Sequence, residues 1–224
     1  MGGAYSPFAV ALACIEKTHL SDDSLQHRKL SKKKIKQELL MDRISELFFE
    51  AKTLKELPRS GYHFLGSGKE SVAEHSFMTA FICLVMSRME PGLDSEKLIS
   101  MALIHDLPEA RTGDLNYVQK QYVTADESKA VGDMTHGLAF GNEFADLLAE
   151  FSKGDTREAM LANDADQLSF ILELKRHKDT GAKSPEKWLP VVMKRLKTSL
   201  GQGMAQSIVD SSWDDWWLNG YSEP

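Results

Sequence analysis

From residue 41 to about 218, apolar positions recur with the three-to-four-residue spacing of helices, and no stretch alternates as a strand does. Ile44, Leu47, Phe48 and Ala51 mark one face of a helix from Met41 to Lys55, which Pro58 ends. A loop over residues 59–70 leads to a strongly apolar helix from Ser71 to Met89, stopped by Pro91-Gly92. The next helix is predicted from Ser95 to Leu107, with Leu98, Ala102 and His105 spaced to share its inward face and Glu109 one turn beyond. Pro108 cannot donate to the Ile104 carbonyl, so this helix should kink or end just after His105-Asp106. Further helices are expected at 124–152, 155–178, 185–200 and 203–218, the last carrying Trp213, Trp216 and Trp217 at a spacing that suggests packing. The resulting fold class is an all-α helical bundle.

Composition narrows the class of function. With 224 residues, 42% of them hydrophobic, the chain can bury one good core. Residues 1–40, with Gly2-Gly3, a basic run from Arg28 to Lys36 and no sustained periodicity, read as a flexible N-terminal extension before a domain at 41–224, and Met41 is a candidate start. The net charge of -6 argues against a partner held by bulk electrostatics, so no nucleic acid polymer is expected. The short apolar segment Phe8 to Ile15 lacks a basic flank and the length of a membrane span. Cys14 and Cys83 make neither a disulfide framework nor a thiolate metal site, and a cytoplasmic protein without membrane partners is the expectation.

The chemistry concentrates in an ordered series: His75, then His105-Asp106, then the pair Asp164 and Asp166. Imidazole nitrogens and carboxylate oxygens brought together from several helices make a divalent-metal site. An ionised Asp106 in so apolar a helix is costly to bury unless it is paired or coordinated. On a helical wheel Asp164 lies nearer than Asp166 to the apolar face marked by Leu161, Ala165, Leu168 and Leu172. Gly66-Ser-Gly-Lys69 superficially suggests a phosphate loop, but His63 stands where its first glycine should be, and Glu70 replaces the Ser or Thr.

Leu57-Pro-Arg-Ser-Gly-Tyr62, Glu70-Ser-Val-Ala-Glu-His75, His105-Asp-Leu-Pro-Glu-Ala-Arg-Thr-Gly-Asp114 and Ala165-Asp-Gln-Leu168 together resemble the HD superfamily of metal-dependent phosphohydrolases, and more narrowly its 5'-deoxynucleotidase branch, over residues 41–200. The resemblance implies an HD-domain bundle with its metal site between helices, and phosphate removal from (deoxy)nucleoside 5'-monophosphates. It implies His75, His105, Asp106 and Asp166 as metal ligands, with Asp164 the alternative to Asp166, and Glu109 and Asp114 as catalytic carboxylates with their acid and base roles undivided. Arg59 is the candidate phosphate clamp and Tyr62, where the family usually carries Trp, the candidate stacking residue. One ion is expected, since only His136 lies between the doublet and the last Asp, and mixed imidazole and carboxylate ligands suit Mn, Co, Fe or Zn better than Mg. A small nucleotide as substrate and a homodimer complete the implied picture. The competing readings are hydrolysis of another phosphorylated metabolite or a nucleoside triphosphate, for which Lys69, Arg111 and Lys120 are the available cations, and a non-catalytic nucleotide-binding module.

Overall fold

The computed structural model describes residues 22–221 and is helical, with no strand among them and one isolated antiparallel bridge, Pro58 with Ser71. Two compact units meet at Asp42 and Arg43, and the second, from Arg43 onward, contains the helical bundle. The first helix described runs from Asp22 to Thr53 (α1). Leu47 near its C-terminal end and Leu54 just beyond it are buried, whereas Phe48, placed on the inward face by its spacing, is 68% exposed.

After a one-turn helix at Tyr62–Leu65 (α2) come α3 (Val72–Met89) and α4 (Ser95–Ile104). Ser71 and Glu74 form a capping box that fixes where α3 begins: Ser71 Oγ accepts from Glu74 N at 3.2 Å, and Glu74 Oε2 accepts from Ser71 N at 2.7 Å. α4 ends one helical turn earlier than expected, and a turn over 105–108 leads into the short α5 (Glu109–Thr112). The helix expected at 124–152 is two, α6 (Glu127–Thr135) and α7 (Gly141–Lys153), because Gly137, with φ of +78°, takes a left-handed conformation that breaks the helical path.

α8 (Arg157–Asp179) is the axis of the bundle: α3, α4, α7, α9 (Pro185–Met193) and α10 (Ser199–Asp210) all pack on it. Leu161, Leu168, Ile171 and Leu174 of α8 are fully buried with Met86, Leu98 and Met101, making one core. The break between α9 and α10 falls at 194–198, not near 201 as the pattern suggested, because Thr198 caps α10, its side chain accepting from Gly201 N at 2.9 Å. The C-terminal tryptophans are not core residues: Trp216 is 84% exposed, and Trp213 rests beneath the Arg176 guanidinium at 5.8 Å. No described helix is long and apolar enough to cross a membrane.

Candidate metal and phosphate site

The capping box sets His75 on the first turns of α3, where it is completely buried. α4 packs beside α3 and delivers His105 at its C-cap, followed by Asp106 in the turn that Pro108 terminates. His75, His105 and Asp106 each direct a ligand atom to one place, all within 4.8 Å of one another. Asp166, from the middle of α8, flanks them with Oδ1 2.9 Å from His75 Nε2.

The tautomer of His105 is set by its partners. Nδ1 faces the Ala102 carbonyl at 2.7 Å and donates to it, while Nε2 is buried, makes no well-formed hydrogen bond and lies 3.2 Å from Asp106 Oδ2. Glu109 Oε2 is likewise buried and unpartnered. An orphaned imidazole nitrogen and an orphaned carboxylate oxygen are costly in a dry site and fit a cation that would satisfy them. The charges agree: Asp106, Asp166, Glu109 and Asp114 surround one guanidinium, that of Arg59. Burial and the neighbouring Asp106 and Asp114 carboxylates push Glu109 up to about 9. Burial opposes charge on His105, yet the adjacent Asp106 takes it up to about 9, while burial of Asp106 is outweighed by His105 and Arg59, which hold it below the usual carboxylate range.

The two candidate aspartates of α8 have separate surroundings. Asp164 is fully buried, and its carboxylate accepts from Lys197 N at 2.7 Å, Thr198 N at 2.8 Å and Thr198 Oγ1 at 2.6 Å. It is committed to the start of α10 and turned away from the histidines. The helical wheel had Asp164 on the apolar face, and there it lies, as a structural acceptor.

Arg59 reaches the site because the 58–71 loop closes on itself: Arg59 N donates to the Glu70 carbonyl at 2.8 Å, and Val72 N to Leu57 at 2.9 Å. Its Nη1 lies 3.0 Å from Asp106 Oδ2 and its Nε 3.9 Å from Asp114 Oδ2. Asp114 also accepts from Ser60 N at 2.8 Å, so that α2 and the segment after α5 are tied together at the rim. Above lies a cavity of about 270 Å³, lined by Arg59, Asp106, Glu109, Asp114 and Asp166 on its polar side. Tyr62 also lines it, but its ring is buried against His177 and its hydroxyl donates to Glu173 Oε2 at 3.1 Å.

Sequence reasoning missed the opposite wall. Phe170 and Trp188 meet edge to face at 5.7 Å, Tyr117 stands 74% exposed at the mouth, and Arg195 reaches Gln167 Oε1 at 3.4 Å while Gln167 Nε2 donates to Asp166 Oδ2 at 2.8 Å. Only Gln167 had a signal, its place beside Asp166; Trp188 and Arg195 come from a later helix and its exit, and nothing in their spacing points inward. Of the other cations considered, Lys120 lines this cavity, Lys69 lines a different one, and Arg111 is paired with Glu50.

A family model described as the HD domain matches residues 51–208. The chain belongs to the HD domain family. Among curated proteins, this HD domain is 31% identical to a 5'-deoxynucleotidase HDDC2 of Dictyostelium discoideum over 59% of this chain and 76% of that one. It is 28% identical to a 5'-deoxynucleotidase hdd1 of Schizosaccharomyces pombe over 54% of this chain and 65% of that one, a little under two thirds of that relative's length. Among solved structures, a protein of Pyrococcus horikoshii superposes with a TM-score of 0.61 at 32% identity, over 73% of this chain and 97% of that one. The family match runs from the end of α1 through most of α10, and so includes Arg59, the two clustered histidines and the carboxylates around them.

Proposed function

We propose that residues 41–224 form a metal-dependent phosphomonoesterase that removes phosphate from (deoxy)nucleoside 5'-monophosphates in the cytoplasm. The observation that carries this reading is the convergence of His75, His105 and Asp106 beneath a cavity that also presents Arg59. The cavity volume, about 270 Å³, is just under the usual range of ligand sites and favours a small ligand such as a single mononucleotide. Membership of the HD domain family and relatives named 5'-deoxynucleotidase support the substrate class. For a triphosphate the cavity offers little beyond Lys120 and Arg195 at its rim, since Lys69 and Arg111 point elsewhere.

His75, His105, Asp106 and Asp166 would hold one divalent ion, of the Mn, Co, Fe or Zn kind. Such an ion, when bound, neutralises a phosphate oxygen and lowers the pKa of water. Arg59 pairs with the remaining phosphate oxygens through its planar fork, exchanging its contact with Asp106 for the substrate. Glu109 and Asp114 move the protons that hydrolysis requires, one from water and one to the departing 5' oxygen. Tyr62 braces the cavity wall, and because its side chain is buried the exposed Tyr117 is the better surface for a base or sugar.

A homodimer is supported by α3, which is apolar around nearly its whole circumference: Phe77, Phe81 and Leu84 remain exposed in one stripe, the two phenylalanines stacked at 6.4 Å. Sedimentation of the intact chain decides that point. The function is tested by phosphate release from a panel of nucleoside 5'- and 3'-monophosphates and triphosphates, after chelation and addition of single metals. Metal-dependent release from 5'-monophosphates that Asp106→Ala lowers by at least about 1,000-fold is expected. Stoichiometric metal binding without turnover of any phosphoester would overturn the enzyme in favour of a binding module.

A further inference from the structure

A second cavity, about 640 Å³, reaches the same centre from another side. It lies between α6 and α7, and its wall carries Thr112, Ser128, Ser152, Lys153 and Glu127 among apolar side chains such as Leu148 and Phe151. The first cavity differs in lining, with the Phe170 and Trp188 pair and Tyr117 on its wall. Asp106, Glu109 and Lys120 line both, so the two spaces approach the same carboxylates from different sides.

Phosphoryl transfer places the attacking and leaving oxygens roughly in line, on opposite sides of phosphorus. A site with a single mouth would be stoppered by its own substrate, because the nucleoside fills the opening through which water must come. Here the aromatic surfaces that suit a nucleoside are on one side, together with Arg59 and Arg195, and the other side is a wider passage in which three hydroxyls, Lys153 and Glu127 stand among apolar side chains, room enough for water and a small anion. Glu109, with one buried oxygen lacking a partner, lines both.

We propose, on the phosphomonoesterase reading, that the cavity between α6 and α7 admits the attacking water and releases inorganic phosphate, while the nucleoside occupies the Phe170 and Trp188 side. The water oxygen bonds to phosphorus as the bond from phosphorus to the 5' oxygen breaks; a shared carboxylate takes the water proton, and the departing oxygen gains one. Nucleoside and phosphate then leave by different doors.

The test follows inorganic phosphate binding by stopped flow to the Mn-loaded full chain, alone and saturated with deoxyadenosine. In the unsubstituted protein saturating deoxyadenosine should change the phosphate association rate by no more than about twofold, because the second door stays open. Ala149→Trp, on an exposed part of that cavity's wall, should then slow phosphate association at least about tenfold in the deoxyadenosine-saturated protein. Ser152→Trp narrows the same passage farther along α7 and serves if the first variant does not fold. Blockage of phosphate entry by deoxyadenosine in the unsubstituted protein would overturn the proposal, as would a folded tryptophan variant that binds phosphate as fast as before. Because this readout needs no turnover, it separates a wrong door from a wrong activity; failure to release phosphate from any 5'-monophosphate in the substrate panel would remove both.

Discussion

Two aspartates, Asp164 and Asp166, stand two residues apart on α8 and mark two regions with opposite logic. Around Asp164 every polar demand is met: three donors from the start of α10 converge on a carboxylate that sees no solvent. Around Asp166 they are not. Its oxygens face His75 and Gln167, beside a His105 nitrogen and a Glu109 oxygen that are buried without a well-formed hydrogen bond. Burial of a charged group is therefore no sign of chemistry by itself. What distinguishes a working site is an excess of like charge and unmet hydrogen-bonding capacity, held in place by a fold that gains stability elsewhere.

The comparison can be broken most forcefully by removing each carboxylate in turn. Asp166→Ala should weaken metal binding by at least about 100-fold and abolish turnover, with a melting temperature unchanged or raised by relief of repulsion. Asp164→Ala should do the reverse, costing roughly 3–5 kcal/mol because three buried donors lose their acceptor, or a fall of about 10 °C in Tm, while metal affinity of the folded fraction stays as it was. Isothermal titration with metal and differential scanning calorimetry on both variants would show it. An Asp164 variant that melts normally but binds no metal would exchange the two assignments.

A smaller effect sharpens the structural half. A Cβ on Gly201 would lie 2.9 Å from Asp164 Cβ, and nearer still to its carboxylate, so the start of α10 can approach α8 only if this residue is glycine. Gly201→Ala should cost about 1–3 kcal/mol by denaturant unfolding, with metal stoichiometry intact. A neutral result would mean that the α8 and α10 junction is more yielding than its packing indicates.

The smallest effect concerns a third buried carboxylate, Glu70, which burial and the nearby Glu173 push up to about 7. The folded protein then holds a proton that the unfolded chain has released between about pH 4.5 and 7, so stability falls as pH rises through that window. Glu70→Gln should leave stability near pH 4.5 almost unchanged and raise it by about 2 kcal/mol at pH 8, as calorimetry at the two pH values would reveal. Equal effects at both would show that Glu70 titrates normally.

Much of this was legible along the chain. Helical periodicity, Pro58, Pro108 and the Pro91-Gly92 stop named the elements from Met41 to the doublet, because local sterics and capping act over a few residues. The candidate series of His75, His105, Asp106 and an aspartate near 165 could be written down for the same reason: each sits on a helix at a readable phase. Boundaries failed at the break between α6 and α7, where the left-handed turn at Gly137 leaves no mark in the apolar periodicity, and at the α10 cap, where a distant contact with Asp164 decides.

By itself the sequence determined that the chain is all helical, that imidazole and carboxylate groups suited to a divalent ion are spaced for convergence, and that no phosphate loop competes with them. Only the tertiary structure decided that Asp164 serves a helix cap, that Phe48 and the C-terminal tryptophans face outward, and that Trp188 and Arg195 return to close a cavity over Asp106. The physical reason is range. Periodicity records which face of a helix avoids water, but which of two neighbouring carboxylates meets a histidine and which meets a backbone amide depends on where a helix some thirty residues later comes to rest.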